Sequence, residues 1–65
     1  MNKLKILRLD LNLKQIEIAK KIGISQQAYS YIETDRMNPS LETARKISEF
    51  FKMPVEEIFF KKRDN

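Results

Sequence analysis

Apolar residues recur along the chain at three- and four-residue intervals, a period that predicts helices, with no clear strand anywhere. Leu4 and Leu7 open the series and predict a first helix over residues 3–10. Ile18, Ala19 and Ile22 make the inward stripe of a second helix that begins near Gln15. Gly23 stands where that helix must stop, and glycine takes the left-handed conformation of such an end at little cost. Ile24 buries the turn and Ser25 caps a third helix, whose inward stripe is Ala28, Tyr29 and Ile32. The small Ala19 lets the second and third helices cross closely. The stretch T-D-R-M-N-P that follows is rich in turn formers and breakers. Ser40 then caps a fourth helix with Leu41, Ala44, Ile47 and Phe51 on its core face, and Glu42 in its first turn suits the helix dipole. Pro54 marks the start of a short fifth helix over residues 55–59. The expected fold class is all-α, a compact five-helix domain over residues 1–60, with residues 61–65 a charged tail.

The twenty residues from Gln15 to Thr34 form the most informative stretch, two short amphipathic helices hinged at a glycine. This is the pattern of a helix-turn-helix DNA reader. Gln26, Gln27, Ser30 and Tyr31 are left pointing away from the core on the second of the two helices. In such motifs that helix lies in the major groove and its N-terminal residues reach base edges. A glutamine there can bond both N6 and N7 of adenine, worth about 1–3 kcal/mol of discrimination. Taken alone, Gln26 and Gln27 are ordinary solvated helix residues; the surrounding frame is what turns them into readers. Lys14, Lys20, Lys21 and Arg36 border the motif where phosphates would pass, although Lys20 and Lys21 read better as the solvated face of a helix.

Composition narrows the function classes. A chain of 65 residues makes one domain with a marginal core, for which association is a common remedy. With no cysteine and no histidine there is no disulfide framework, and neither a metal site nor a cofactor is expected. No apolar run is long enough to span a bilayer and the N-terminal segment lacks a signal-peptide core, so a cytoplasmic location without membrane contact is expected. A net charge of +4 favours a polyanionic partner, though this is the weakest of the DNA arguments. An enzyme reading, with Glu33 and either Glu17 or Asp35 as an acid–base couple, has no histidine, cysteine or glycine-rich phosphate loop to complete it.

Five blocks in order carry a resemblance: L-K-Q-I-E-I-A from Leu13, G-I-S from Gly23, Y-S-Y-I-E from Tyr29, N-P-S-L-E-T from Asn38 and V-E-E-I-F from Val55. Over residues 4–59 the chain resembles the Cro/repressor-type, or Xre-family, helix-turn-helix domains. The resemblance implies a five-helix domain that binds operator DNA, usually as a symmetric dimer on a palindrome. It assigns base reading to Gln26, Gln27, Ser30 and Tyr31. Gln15 would grip a phosphate by side chain and backbone amide; Lys14 and Arg36, by their charge beside the motif, and Ser25 at the helix start are this sequence's further phosphate-contact candidates. Asn38 and the helix start at Ser40 would hold the other side of the groove. It also implies a structural ion pair between Arg8 and Glu33.

The chain departs from its apparent relatives in two ways. Lys14 replaces the usual Thr or Ser cap, while Asp35 and Lys52 stand where glycine is frequent. Ile6, Leu9, Leu11 and Ile16 are apolar where charged or polar groups are usual, and Phe50 and Phe60 add aromatic area near the other end. Val55, Ile58 and Phe60, with Ile6 and Leu9 as neighbours, are therefore the candidate homodimer interface. A symmetric interface would set two recognition helices about 34–36 Å apart, one turn of DNA.

The expected function is a sequence-specific DNA-binding transcriptional regulator, acting as a repressor by occupying a palindromic operator. The competing reading is an antitoxin or other protein-binding module built on the same domain. It would need Ile6 and Leu9 and not the two glutamines.

Overall fold

Side-chain caps and left-handed residues mark where most of the helices start and stop. In the computed structural model, which describes residues 2–60, α1 spans Leu4–Asp10, α2 Gln15–Ile22, α3 Gln26–Glu33 and α4 Leu41–Phe51; α5, a short π-type helix, spans Glu56–Phe60. No strand occurs among the described residues. The charged tail expected at residues 61–65 lies outside them.

Three helices begin on a side-chain oxygen. Asn2 Oδ1 accepts from the Leu4 N–H at 2.9 Å, Ser25 Oγ from Ala28 N–H at 3.0 Å, and Ser40 Oγ from Thr43 N–H at 3.1 Å. Helix α2 lacks such a cap because the Lys14 ammonium has no acceptor. Half of a capping box replaces it: the Glu17 carboxylate reaches back to the Lys14 N–H at 2.7 Å.

Left-handed residues end or link the helices. Gly23 has φ 90°, and its N–H and that of Ile24 both return to the Ala19 carbonyl, at 2.8 and 3.0 Å. Asn12, Asp35 and Lys52 take φ 58°, 63° and 55° without being glycine. A Cβ added at Gly23 would come no nearer to another group than 4.0 Å, at Lys46 Nζ. Gly23→Ala is therefore expected to cost only the left-handed strain, about 1–2 kcal/mol, in urea denaturation. An unchanged midpoint would mean that the stop is not strained.

The core gathers Leu4, Ile18, Ala19, Ile22, Tyr29, Ile32, Ile47 and Ile58, with Leu7, Leu13, Ile24, Phe50, Phe51, Met53 and Phe59 packed around it. Three expectations need correction. Leu41, placed on the core face by its spacing, is 88% exposed because it is the first residue of α4 and overhangs the packed surface. Phe50 is half-buried against the core, its ring edge-to-face with Phe51 at 5.0 Å, and adds little to the surface. Ile58 is 1% exposed and belongs to the core, not to a dimer surface. The Lys3 N–H donates to the Ile58 carbonyl at 3.0 Å, which ties α5 to the start of α1.

Candidate nucleic-acid interface

One buried carboxylate, Glu33, ties three helices together. The Arg8 Nε and Nη2 groups donate to Glu33 Oε2 and Oε1 at 2.8 and 3.1 Å, the two-point geometry that suits a guanidinium. Tyr29 donates its hydroxyl to Oε2 at 2.8 Å and Gln15 its amide to Oε1 at 2.9 Å. Arg8 also donates Nη1 to the Leu13 carbonyl at 2.8 Å. Helices α1, α2 and α3 thus meet at Glu33. Among the described residues no buried side-chain polar atom lacks a partner.

The electrostatics follow from this packing. Burial alone would raise the Glu33 pKa, but the hydrogen bonds from Arg8, Gln15 and Tyr29 and the Arg8 charge outweigh it, and the net shift is downward. The hydrogen bond to Glu33 raises Arg8 in turn. Tyr29 is pushed up by burial first and by its bond to the carboxylate second. At neutral pH the cluster is one anion, one cation and one neutral phenol.

Gln15 is tied into this cluster, which spacing did not show. One side-chain N–H is held by Glu33. That bond leaves the second side-chain N–H over, and the backbone N–H lies in the first turn of α2.

The outer face of α3 carries Gln26, Gln27 and Tyr31 exposed and Ser30 half-buried. Gln27 and Tyr31 are not independent: Gln27 Nε2 donates to the Tyr31 hydroxyl at 3.0 Å. Arg36 lies over the Tyr31 ring, 5.9 Å from its centroid. Lys14, Asn38 and Arg36 are exposed on the segments flanking α2 and α3. Ser25 serves as the cap of α3. The Ser40 hydroxyl is engaged twice by Thr43, accepting from its N–H and donating to its Oγ1 at 3.0 Å. A phosphate at that helix start would meet backbone N–H groups rather than the Ser40 side chain.

Of the dimer candidates, Phe60, Ile6 and Leu9 are 69%, 65% and 51% exposed, and Val55 is half-buried. Val55, Phe59 and Phe60 face Met37, Leu41 and Ala44 across an open groove of about 310 Å³. Among the described residues no cluster of carboxylates could hold a metal ion, and no helix is long and apolar enough to cross a membrane.

Sequence reasoning missed Asn2, which donates to the Ile32 carbonyl at 2.8 Å and to Asp35 at 3.0 Å while capping α1. It also missed the hydroxyl of Tyr29. The Gln27–Tyr31 bond had a signal, since residues four apart on a helix are neighbours.

A five-helix domain that projects a polar helix face beside a glycine turn is a helix-turn-helix unit. Residues 4–58 match the helix-turn-helix family, and the chain belongs to it, in the Xre/Cro-like group. The family is one of DNA-binding transcriptional regulators and not of enzymes. An uncharacterized HTH-type transcriptional regulator of Methanocaldococcus jannaschii is 44% identical over 63 residues, covering 97% of this chain and 96% of that one. The uncharacterized HTH-type transcriptional regulator YgzD of Bacillus subtilis is 33% identical over 98% of this chain and 97% of its own length. The cryptic phage CTXphi transcriptional repressor RstR of Vibrio cholerae is 33% identical over 88% of this chain, which spans 51% of that relative.

Proposed function

We propose that this protein is a sequence-specific transcriptional regulator that represses by occupying a palindromic operator as a homodimer, in the cytoplasm. The observation that carries the reading is the exposed α3 face of Gln26, Gln27 and Tyr31, with Ser30 at its edge, locked to α2 through Gln15 and Glu33. These four side chains enter the major groove and read base edges. Gln15, Lys14, Ser25, Arg36, Asn38 and the N–H groups after Ser40 bind the flanking phosphates and set the register. Repression needs nothing beyond occupancy, and the name of the Vibrio relative supports that sign.

The homodimer uses Phe60 and Val55, with Ile6 and Leu9 as neighbours. The exposure of Phe60, Ile6 and Leu9 supports an apolar contact that would space two α3 helices about 34–36 Å apart. The same exposure of Ile6 and Leu9 favours a second reading, a protein-binding module of the antitoxin kind.

Selection from a random-sequence DNA pool at near-physiological salt separates the two. Enrichment of an inverted repeat with half-sites one turn apart is expected. Only salt-sensitive bulk binding, with no enriched sequence, would reject operator recognition and direct attention to the α1 surface.

A further inference from the structure

Tyr31 sits where a base reader is expected, yet its hydroxyl already accepts a hydrogen bond from Gln27 at 3.0 Å. Its ring is covered by the Arg36 guanidinium at 5.9 Å, within the range of a cation–π contact. The three residues form a chain from the tip of α3 to the loop that follows it. Resting on the operator-binding reading, we propose that Tyr31 is a positioning residue. It fixes which edge of the Gln27 amide faces the groove, and Arg36 clamps its ring in place, so that the protein specifies adenine at the Gln27 position.

The chemistry of the amide carries this. A glutamine side chain has two N–H donors and one carbonyl acceptor, and rotation by half a turn about its last torsion exchanges them. With one N–H given to Tyr31, the remaining N–H and the carbonyl oxygen form an adjacent donor–acceptor pair. That pair matches adenine, whose N7 accepts and whose N6 amino group donates. The reversed amide would accept from the Tyr31 hydroxyl and turn both N–H donors outward, which matches the O6 and N7 acceptors of guanine. The orientation in which Gln27 donates to Tyr31 therefore selects between two purines. The Tyr31 hydroxyl keeps its own proton, free to bond a base or phosphate acceptor of its own.

Arg36 extends the device to the backbone. A planar guanidinium can lie on an aromatic ring and bond a phosphate with its edge, which an ammonium cannot do as well. Seating of Arg36 on a phosphate and orientation of Gln27 on a base are coupled through the same ring.

The test is site selection, followed by competition binding against half-sites carrying each base at the Gln27 position, for the wild type, Tyr31→Phe, Gln27→Ala, their double variant and Arg36→Lys. All three side chains are on the exposed face, and thermal melting checks that each variant is folded. Tyr31→Phe keeps the ring and removes the hydroxyl. It is expected to lower preference for adenine at that one position by about three- to tenfold, the worth of one net hydrogen bond. The other positions should keep their preferences. In the Gln27→Ala background the same change should have no effect there. Arg36→Lys should retain the salt dependence while losing part of the adenine preference.

Guanine at the Gln27 position in the wild type would overturn the assignment. So would a Tyr31→Phe profile equal to wild type, or one weakened equally at every position. A wild type that enriches no sequence at all would defeat the operator reading itself and this proposal with it, a result distinct from a specific operator insensitive to Tyr31.

Discussion

Glu33→Ala is expected to destabilise the domain by about 3–5 kcal/mol, the cost of stranding one member of a buried ion pair. The Arg8 and Glu33 side chains are only 10% and 3% exposed, so water cannot replace the lost partner. Tyr29 and Gln15 lose their acceptor at the same time. A domain of this size holds roughly 3–10 kcal/mol in total, so the variant loses a large fraction of its stability and its urea midpoint should fall steeply, as followed by circular dichroism. Glu33→Gln keeps the shape and one acceptor and should fold with a smaller loss, measurable in urea.

The pH dependence has a definite sign. Glu33 titrates below its ordinary value of 4.5 in the folded protein, so its contribution is present above that value and drains away as pH falls through the folded pKa. Tyr29 is shifted above its ordinary 10.0, so its neutral hydroxyl contributes fully below that pH and is lost as pH rises through the folded pKa. Wild-type stability should therefore fall at both extremes, and Glu33→Gln should flatten the acid limb. An acid limb unchanged in Glu33→Gln would show that another group governs it.

Replacing Gln26 and Gln27 together by alanine is expected to remove about 2–6 kcal/mol of operator discrimination, taking one bidentate contact for each. Binding to random DNA should be almost untouched. Lys14→Ala should behave oppositely: it would weaken every sequence alike and reduce the salt slope by about one unit, as one phosphate contact disappears. Arg36→Ala should reduce the slope likewise and, by releasing the Tyr31 ring, also lose part of the preference at the Gln27 position. Titrations at several salt concentrations, on operator and scrambled duplexes, distinguish the two classes. Full operator binding by the double glutamine variant would contradict the assigned face. Preserved biological activity without operator binding would favour the protein-binding module and the Ile6–Leu9 surface.

Local devices were legible in the sequence because they depend on neighbours. The stop at Gly23, the caps at Ser25 and Ser40, and the stripe of Ile18, Ala19 and Ile22 all appear where the residue types require. Errors fell at a helix end and in the shortest element. Leu41 lies on the inward spacing of α4 yet precedes the region that packs, and Ile58 sits in a helix of five residues, too short for a stripe to define an inside. Its burial comes only with the packing of α5 against the rest of the fold, where the Lys3 N–H, distant in the chain, bonds its carbonyl. At the interface, the residue types on α3 were readable, whereas the ties of Gln15 and Tyr29 to Glu33 were not. Those bonds join residues whose relation is fixed only after three helices have packed.

The left-handed joints at Asn12, Asp35 and Lys52 give the domain an unused margin of stability. A chain with one glycine in 65 residues has a stiff unfolded state, which has less freedom to regain on melting. Native strain at those joints offsets part of that advantage. Asparagine and aspartate tolerate the left-handed region well, but a lysine has no such accommodation. Lys52 is the residue that ends α4 and is none of the residues proposed to contact DNA, so the strain there can be relieved without altering any of them. The protein can thus gain robustness at one joint while the proposed reading residues are free to change.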